Sequence, residues 1–223
     1  MSTEHNLSLV LTQDGSHTLY SSRFEDSYHS IHGAIQESRH IYIQAGLSHL
    51  HSETEKIDIL EVGLGTGLNY LLTREYAGQY PELTLAYDAY EMYPVPQQII
   101  NQLNYGEFLS DPWFRQLHQL EWNRMHQLSV NFSMGKYHAD IREMNAIERY
   151  NLIFFDAFAP EKQPEMWEEA VVRRIGQAAK KGAILVTYCS QGAFQRTLRS
   201  TGFRIEKLPG PIGKREILRA IKA

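Results

Sequence analysis

The sequence predicts an α/β protein with a Rossmann-like, mostly parallel sheet of about seven strands. Three observations support this fold. Apolar runs of strand length alternate with helical patterns over most of the 223 residues. A glycine-rich turn joins one of these runs directly to a helix. The last two predicted strands follow each other without a helix between them, which indicates a C-terminal antiparallel hairpin at the sheet edge.

The composition is that of a chain able to bury one good core, because 43% of its residues are hydrophobic. A formal net charge of −4 argues against a generally basic surface for nucleic acids, and we expect no DNA partner. The single cysteine, Cys189, excludes an internal disulfide framework. No apolar run approaches membrane-spanning length and no secretory leader is visible, so we expect a cytoplasmic protein without a membrane partner.

The first 50 residues predict a small extension to the sheet. Residues 7–21 contain two short β-type runs around Asp14-Gly15, a strong hairpin signal. Residues 24–50 show helical spacing that is broken near Gly33 and Gly46. We expect residues 1–50 to form a hairpin and a helical segment that covers one end of a ligand cleft. Residues 51–223 should form the main domain, with both parts in a single globular unit.

Histidine is frequent in this extension, but its spacing does not indicate a metal site. His29 and His32 form the only helical pair there, and a metal needs more ligands that converge on one point. We therefore expect no metal.

Residues 57–70, IDILEVGLGTGLNY, are the most informative stretch. An apolar strand leads into Gly63, Gly65 and Gly67, and a helical pattern follows. Glycine tolerates positive φ and lets the backbone approach a ligand, while the helix N-terminus offers free N–H groups. The turn predicts a nucleotide-like ligand, with a purely structural glycine turn as the alternative. In a dinucleotide fingerprint the third glycine would come one residue later.

This G-x-G-x-G spacing, with Glu61 two residues ahead of it, resembles motif I of the class I S-adenosylmethionine-dependent methyltransferases. The resemblance implies S-adenosyl-L-methionine as the cofactor, with Glu61, Gly63, Gly65 and Gly67 among the residues that bind it. In that family the acid lies near the methionine end of the cofactor, whose ammonium and sulfonium groups are cationic.

Acidic residues also follow the next predicted strands. Glu91 stands at the carboxyl end of a strand over residues 83–90, where it could accept hydrogen bonds from both ribose hydroxyls or remain a solvated acid. Residues 97–125 predict two helices, the second beginning at Asp111-Pro112. A strand over residues 128–134 then leads to Asp140. In the methyltransferase pattern Asp140 accepts a hydrogen bond from the adenine amino group, but it could equally cap a helix that begins at Arg142.

The second informative stretch is YNLIFFDAFAP, residues 150–160. Its continuous apolar run predicts a central strand buried on both faces, and Asp156 ends that strand. The acid, Phe158 and Pro160 resemble the D/N-P-P-Y loop of amino-group methyltransferases. In such a loop a carboxylate accepts amine N–H bonds and directs the lone pair toward the methyl group, while an aromatic face stabilises the developing cation. The alternative is a capping aspartate.

The C-terminal part of the chain predicts a strand over residues 183–188, a helix over residues 193–200, and a final hairpin over residues 203–207 and 214–221.

Four segments together resemble the methyltransferase domain of the MnmC-type tRNA wobble-uridine modification enzymes. These segments are RFEDSYHS, EVGLGTGLN, NLIFFDAFAPEKQPEMW and PGPIGKREIL, and they run in order from about Phe24 to Leu218. The resemblance implies methyl transfer from S-adenosyl-L-methionine to the amine of 5-aminomethyl-2-thiouridine in tRNA. It assigns Glu61, the three glycines, Glu91 and Asp140 to the cofactor, Asp156 to the amine, and Phe158 and Pro160 to the amine pocket.

The sequence departs from the bifunctional pattern of that family because it contains no flavin-dependent oxidoreductase domain. We therefore expect a separate oxidoreductase or another amine-generating enzyme as a partner. Two other functions remain open from the residues alone: a small-molecule amine or O-methyltransferase, which the modest charge would suit, and a catalytically silent protein that uses the cofactor fold for binding.

Overall fold

An eight-stranded sheet forms the centre of the computed structural model, which describes residues 6–223. A second, three-stranded antiparallel sheet is formed near the N-terminus. The strands are β1 Leu7–Leu11, β2 His17–Ser21, β3 Asp26–Ser27, β4 Lys56–Val62, β5 Thr84–Glu91, β6 Arg124–Ser129, β7 Phe132–His138, β8 Tyr150–Phe155, β9 Ala179–Thr187, β10 Phe203–Pro209 and β11 Glu216–Lys222.

The large sheet has the order β10-β11-β9-β8-β4-β5-β7-β6, and its five central strands run parallel to one another. An antiparallel hairpin closes each edge: β10 with β11 on one side and β6 with β7 on the other. Because the parallel strands all end at the same rim, the residues that follow them meet there.

Helices cover both faces of the sheet. None of the described helices combines the length and the apolar character needed to cross a membrane. The helical segments are α1 Ala34–Ser38, a π-helical segment Arg39–Ser48, α2 His49–His51, α3 Leu68–Gln79, α4 Gln97–Ile100, α5 Tyr105–Phe108, α6 Asp111–Gln119, α7 Glu169–Ala178, α8 Gly192–Ser200 and two short 3₁₀ turns, Ile141–Glu143 and Pro164–Trp167.

The central strand β8 shows why the sheet needs helices on both sides. Leu152 and Phe154 face the core beneath the π-helical segment and α3, whereas Ile153 and Phe155 face the core beneath α7 and α8. All four side chains are fully buried. A strand with apolar residues at successive positions is stable only between two packed layers, so the run LIFF specifies its central place.

The predicted parallel sheet, the C-terminal hairpin and the N-terminal hairpin around Asp14-Gly15 are confirmed. The strand count is eight rather than about seven, since residues 128–134 do not form one strand. The chain turns between Ser129 and Phe132, and Arg124–Ser129 pairs back onto β7 as an extra edge strand. This turn contains neither glycine nor proline, the two strongest turn signals, so the run was predicted as one continuous strand.

Two helix predictions also need correction. Gly46 does not break the helical segment but lies within it, where a Cβ would sit 3.0 Å from Val186 Cγ2 and 3.4 Å from Leu152 Cδ1. The glycine lets this segment pack directly on the sheet. Residues 97–125 form three short helices instead of two, although the last does begin at Asp111, with Pro112 in its first turn.

Candidate functional site

A cavity opens at the carboxyl ends of β4, β5 and β8 and is covered by the N-terminal segment around β3 and α1. This is the rim where open parallel sheets bind ligands. Six acidic side chains and two cationic ones, Arg142 and Lys214, belong to its wall. The acids are Asp26, Glu37, Glu91, Asp140, Asp156 and Glu165.

Asp156 follows β8 directly and lies in the cavity wall, as predicted. Two neighbours fix its carboxylate: the Tyr42 hydroxyl donates a 2.6 Å hydrogen bond to Oδ1, and the Asn69 side-chain nitrogen donates a 2.8 Å bond to Oδ2. Tyr42 comes from the π-helical segment and Asn69 from the first turn of α3. Each carboxylate oxygen has a second lone pair, so both can still accept a hydrogen bond from a ligand.

The pKa of Asp156 is raised to about 6, chiefly because burial penalises its charged form. The hydrogen bonds from Tyr42 and Asn69 and the charge of Lys214 lower this pKa, whereas the charge of Glu37 raises it. A carboxyl group with a pKa near 6 is ionised at neutral pH but remains a better proton acceptor than an exposed aspartate. Such values are typical of general bases in enzymes.

The glycine turn between β4 and α3 forms the adjacent part of the wall. Gly63, Gly65 and Gly67 all have positive φ, at 90°, 51° and 81°. A Cβ on Gly63 would lie 2.6 Å from the backbone oxygen of Asp156, so the turn and the Asp156 loop approach too closely for any other residue. Gly63 and Gly65 line the cavity. Gly67 lies behind them as the N-cap of α3 and is buried.

Glu91 lies at the end of β5, next to this turn. Its carboxylate accepts a 2.9 Å bond from the Gly65 N–H and a 2.7 Å bond from the Tyr93 N–H. Burial raises the pKa of Glu91, and the backbone N–H donors offset part of that shift. The side chain lines the cavity at the rim position that was predicted for it.

Asp140 also lines the cavity, beyond the end of β7. It caps the 3₁₀ turn that follows, because its Oδ1 accepts a 2.8 Å bond from the Arg142 N–H. The Arg142 guanidinium binds both carboxylate oxygens, at 2.9 Å for Nε to Oδ2, and holds the pKa of Asp140 below its usual value. The capping alternative is therefore observed, in a residue that is also part of the cavity wall.

An aromatic cluster borders the cavity on the other side of Asp156. Phe158 stacks on Phe24 with 4.3 Å between ring centroids and meets the edge of Tyr28 at 4.9 Å. Tyr93 packs against Phe24, and the exposed guanidinium of Arg23 lies 3.7 Å above the Tyr93 ring. The four aromatic residues line the cavity, whereas Pro160 follows Phe158 outside the wall.

Glu61 lies beneath the cavity rather than in its wall. The side chain is fully buried on the face of β4 that packs against α3, next to Tyr87 and Asn69. Among the described residues, no group of three or more His, Cys, Asp or Glu side chains is arranged to hold a metal ion.

Several site residues were not predicted individually. Tyr42, Asn69, Glu37 and Lys214 converge near Asp156 from three different parts of the chain, and Lys214 pairs with Glu37 at 3.0 Å. Asn69 directly follows the glycine turn, which is a usable signal once the helix N-terminus is located. Tyr42 and Glu37 offer no such signal in the sequence, because a tyrosine and a glutamate at these positions are compatible with any partly buried helix.

A family model described as S-adenosyl-L-methionine-dependent methyltransferase matches residues 100–223, more than half of the chain. The chain belongs to this methyltransferase family. The matched part includes Asp140, Asp156 and the aromatic Phe158, while the glycine turn precedes it.

Curated relatives of this methyltransferase carry one recurring name, tRNA 5-methylaminomethyl-2-thiouridine biosynthesis bifunctional protein MnmC. The protein from Cupriavidus metallidurans is 30% identical over 222 residues, which are 93% of this chain and 33% of that protein. The one from Aromatoleum aromaticum is 30% identical over 226 residues, 95% of this chain and 34% of the relative. The methyltransferase chain thus spans about a third of the length of these proteins.

Solved structures share the fold of the methyltransferase. MNMC2 from Aquifex aeolicus superposes with a TM-score of 0.78 at 23% identity, over 99% of this chain and 71% of that one. Spermidine synthase from Thermotoga maritima superposes with a TM-score of 0.62 at 12% identity, over 100% and 71% of the two chains. At these identities the likeness establishes the fold alone.

The cavity of the methyltransferase fits its cofactor chemically. S-adenosyl-L-methionine carries a sulfonium and an ammonium group, and the wall presents more carboxylates than cations. The glycine turn gives backbone access without side chains. The donor set therefore suits a cationic nucleoside ligand better than a nucleotide phosphate, which favours helix N-termini and basic groups.

Proposed function

We propose that this methyltransferase transfers a methyl group to the primary amine of 5-aminomethyl-2-thiouridine in tRNA. The observation that carries the proposal is the carboxylate of Asp156, held by Tyr42 and Asn69 in the cavity wall beside the glycine turn. The names of the relatives, which refer to tRNA 5-methylaminomethyl-2-thiouridine biosynthesis, support this choice of acceptor.

The cofactor would be held along the carboxyl rim of the sheet. Gly63 and Gly65 would contact it through their backbone, Glu91 would accept hydrogen bonds from the ribose hydroxyls, and Asp140 would face the adenine. When bound, S-adenosyl-L-methionine supplies an electrophilic methyl group on a sulfonium centre. Asp156 lies close to Gly63, so the carboxylate and the cofactor turn border the same space.

Asp156 would accept an N–H bond from the acceptor amine and hold its lone pair toward that space. The amine must be neutral to react, because an ammonium group has no lone pair. A carboxylate with a pKa of about 6 is roughly nine-tenths ionised at pH 7. It can therefore accept a proton from the amine, whose nitrogen becomes more acidic as the new C–N bond forms.

The aromatic cluster suits a planar acceptor. Phe158, Phe24, Tyr28 and Tyr93 border the cavity next to Asp156, and aromatic faces stack on nucleobases without sequence preference. Arg23, exposed above Tyr93, adds a cation near the opening that could pair with a phosphate. The net charge of the chain is −4, so a local cation of this kind matters for binding an RNA.

The acceptor must carry a free aminomethyl group, so a reaction that exposes this amine precedes the methyl transfer. We propose that a separate oxidoreductase or another amine-generating enzyme performs it.

The test is methyl transfer to tRNA isolated from cells that lack this protein. The purified chain and labelled S-adenosyl-L-methionine should convert aminomethyl-thiouridine to its methylaminomethyl form, as measured by mass spectrometry of the nucleosides. The Asp156→Asn variant serves as the inactive control. If the chain binds the cofactor but leaves every nucleoside unchanged, tRNA is not the acceptor, and this outcome would favour the small-molecule alternative.

A further inference from the structure

Glu61 is a fully buried carboxyl group that the reaction described above does not use. It lies on β4 on the same side of the strand as Ile57 and Ile59, which pack beneath α3, and it is not part of the cavity wall. Neither carboxylate oxygen makes a hydrogen bond of regular distance and angle with a described residue. Tyr87 and Asn69 nevertheless lie close enough to affect the pKa of Glu61. A buried carboxyl group of this kind is costly unless a specific partner satisfies it.

Two polar neighbours of Glu61, Asn69 and Tyr87, could form hydrogen bonds with a neutral carboxyl group. Asn69 uses its side-chain nitrogen to donate to Asp156, but its side-chain oxygen is buried and accepts no hydrogen bond from a described residue. The Tyr87 hydroxyl is also buried. It lies close to Glu61, but no described residue makes a hydrogen bond of regular distance and angle with it. One carboxylic acid between them could accept from Tyr87 and donate to Asn69, which would satisfy all three groups.

We propose that Glu61 is a positioning residue for Asp156: a neutral Glu61 carboxyl group donates a hydrogen bond to the Asn69 side-chain oxygen and fixes that amide with its nitrogen toward Asp156. Tyr87 holds the other oxygen of the same carboxyl group. The inference rests on the proposed role of Asp156. It means that Glu61, the acidic residue of motif I, acts on the group that binds the acceptor amine.

The surroundings of Glu61 favour its neutral form. Burial raises the pKa of Glu61 well above its usual range, and the carboxylates of Asp156 and Glu91 raise it further. Hydrogen bonds donated by Tyr87 and Asn69 would lower this pKa, but neither residue brings a positive charge. With its nitrogen turned to Asp156, Asn69 can present its oxygen to Glu61, and that arrangement favours the neutral acid. An ionised Glu61 could not donate to Asn69. The amide could then turn its oxygen toward Asp156, where two acceptors would repel each other.

Two substitutions separate positioning from direct cofactor contact. Glu61→Gln keeps one acceptor and one donor in the same shape, so cofactor binding and kcat should stay within about threefold of wild type. Glu61→Ala removes the donor, so kcat should fall about tenfold or more while KM for the cofactor changes little. The acid limb of the pH profile should also move to higher pH in Glu61→Ala, because Asp156 loses its fixed donor, and should not move in Glu61→Gln.

Two spectroscopic readouts need neither tRNA nor turnover. The infrared spectrum of the wild-type protein at pH 7 minus that of Glu61→Gln should contain the carbonyl stretch of a protonated carboxylic acid. The side-chain amide protons of Asn69 should shift in the NMR spectrum of Glu61→Ala and stay in place in Glu61→Gln. The control is Asp88→Asn, a buried acid on β5 paired with Arg149 outside the cavity wall, which should leave the Asn69 amide unchanged.

Loss of cofactor binding in Glu61→Gln by more than about tenfold, measured by calorimetry, would overturn the proposal, since it would show that the negative charge itself holds the cofactor. An infrared difference without the protonated acid would overturn it too. If Glu61→Ala does not fold, the glutamine variant and the wild-type spectrum decide the question. A failure of tRNA as acceptor would leave these binding and spectroscopic results unchanged, so the two proposals fail separately.

Discussion

Replacing Tyr42 with phenylalanine should move the acid limb of the pH profile to higher pH. The substitution removes the 2.6 Å hydrogen bond to Asp156 Oδ1 and leaves the aromatic ring in place. A hydrogen bond to a charged group contributes about 1.5–3 kcal/mol, and one pKa unit corresponds to about 1.4 kcal/mol. The pKa of Asp156 should therefore rise by about 1 to 2 units above its value of about 6.

This shift sets the expected loss of activity. With a pKa of about 7 to 8, between roughly a tenth and a half of Asp156 is ionised at pH 7, compared with roughly nine-tenths in the wild type. The kcat of Tyr42→Phe should fall about two- to tenfold at pH 7 and recover near pH 9. The ratio of variant to wild-type kcat should be measured from pH 5 to pH 9, because the ionisation of the acceptor amine cancels in this ratio.

Tyr70→Phe is the matched control. Tyr70 is a buried tyrosine on α3 whose hydroxyl has no hydrogen-bond partner among the described residues, and it lies outside the cavity wall. Its removal should leave the acid limb in place. An NMR titration of the Asp156 carboxyl carbon in both variants checks the pKa without any substrate. A Tyr42→Phe profile that coincides with wild type would refute the assignment of this limb to Asp156.

The remaining predictions concern Asp156, Glu91 and Arg23. Asp156→Asn should lower kcat at least about a hundredfold. The pKa of Asp156 rises from 3.8 in the unfolded chain to about 6 in the folded protein, so the folded state binds more protons between these pH values. As pH rises through this window, the Asp156 carboxyl group should lower the free energy of unfolding of the wild type by up to about 3 kcal/mol. Thermal melts of Asp156→Asn should lack this decline. Glu91→Ala should raise KM for the cofactor about tenfold or more and lower kcat less, as measured by initial rates. Arg23→Glu should weaken tRNA binding and reduce the salt slope by about 1 while calorimetry shows unchanged cofactor affinity.

The sequence predicted the parts of this fold that local chemistry specifies. The run LIFF can be buried only between two helical layers, and the three glycines all adopt the positive φ that their turn requires. The edge strand Arg124–Ser129 was missed because the turn after it contains no glycine or proline and its residues resemble the end of a helix. Pairing between neighbouring strands, rather than any local preference, decides that segment.

The site was predicted to the extent that strand ends reveal it. Asp156, Glu91 and Asp140 all follow parallel strands, so their meeting at one rim follows from topology. The partners that fix Asp156 were not predictable, because Tyr42 lies 114 residues away in the chain and Asn69 lies 87 residues away. Only the tertiary packing of the π-helical segment and α3 against the sheet brings these groups together.

The contacts of Gly63 connect the two motifs that the sequence presented separately. The Asp156 N–H donates to the Val62 carbonyl at 3.0 Å, and the Asp156 carbonyl occupies the space where a Gly63 Cβ would be. Glu91 holds the same turn through the Gly65 N–H. A change at any of these positions would displace both the glycine turn and the Asp156 loop. The glycine turn is therefore packed directly against the Asp156 loop. Under the roles proposed above, we expect a substitution at Gly63 to affect cofactor binding and acceptor positioning together.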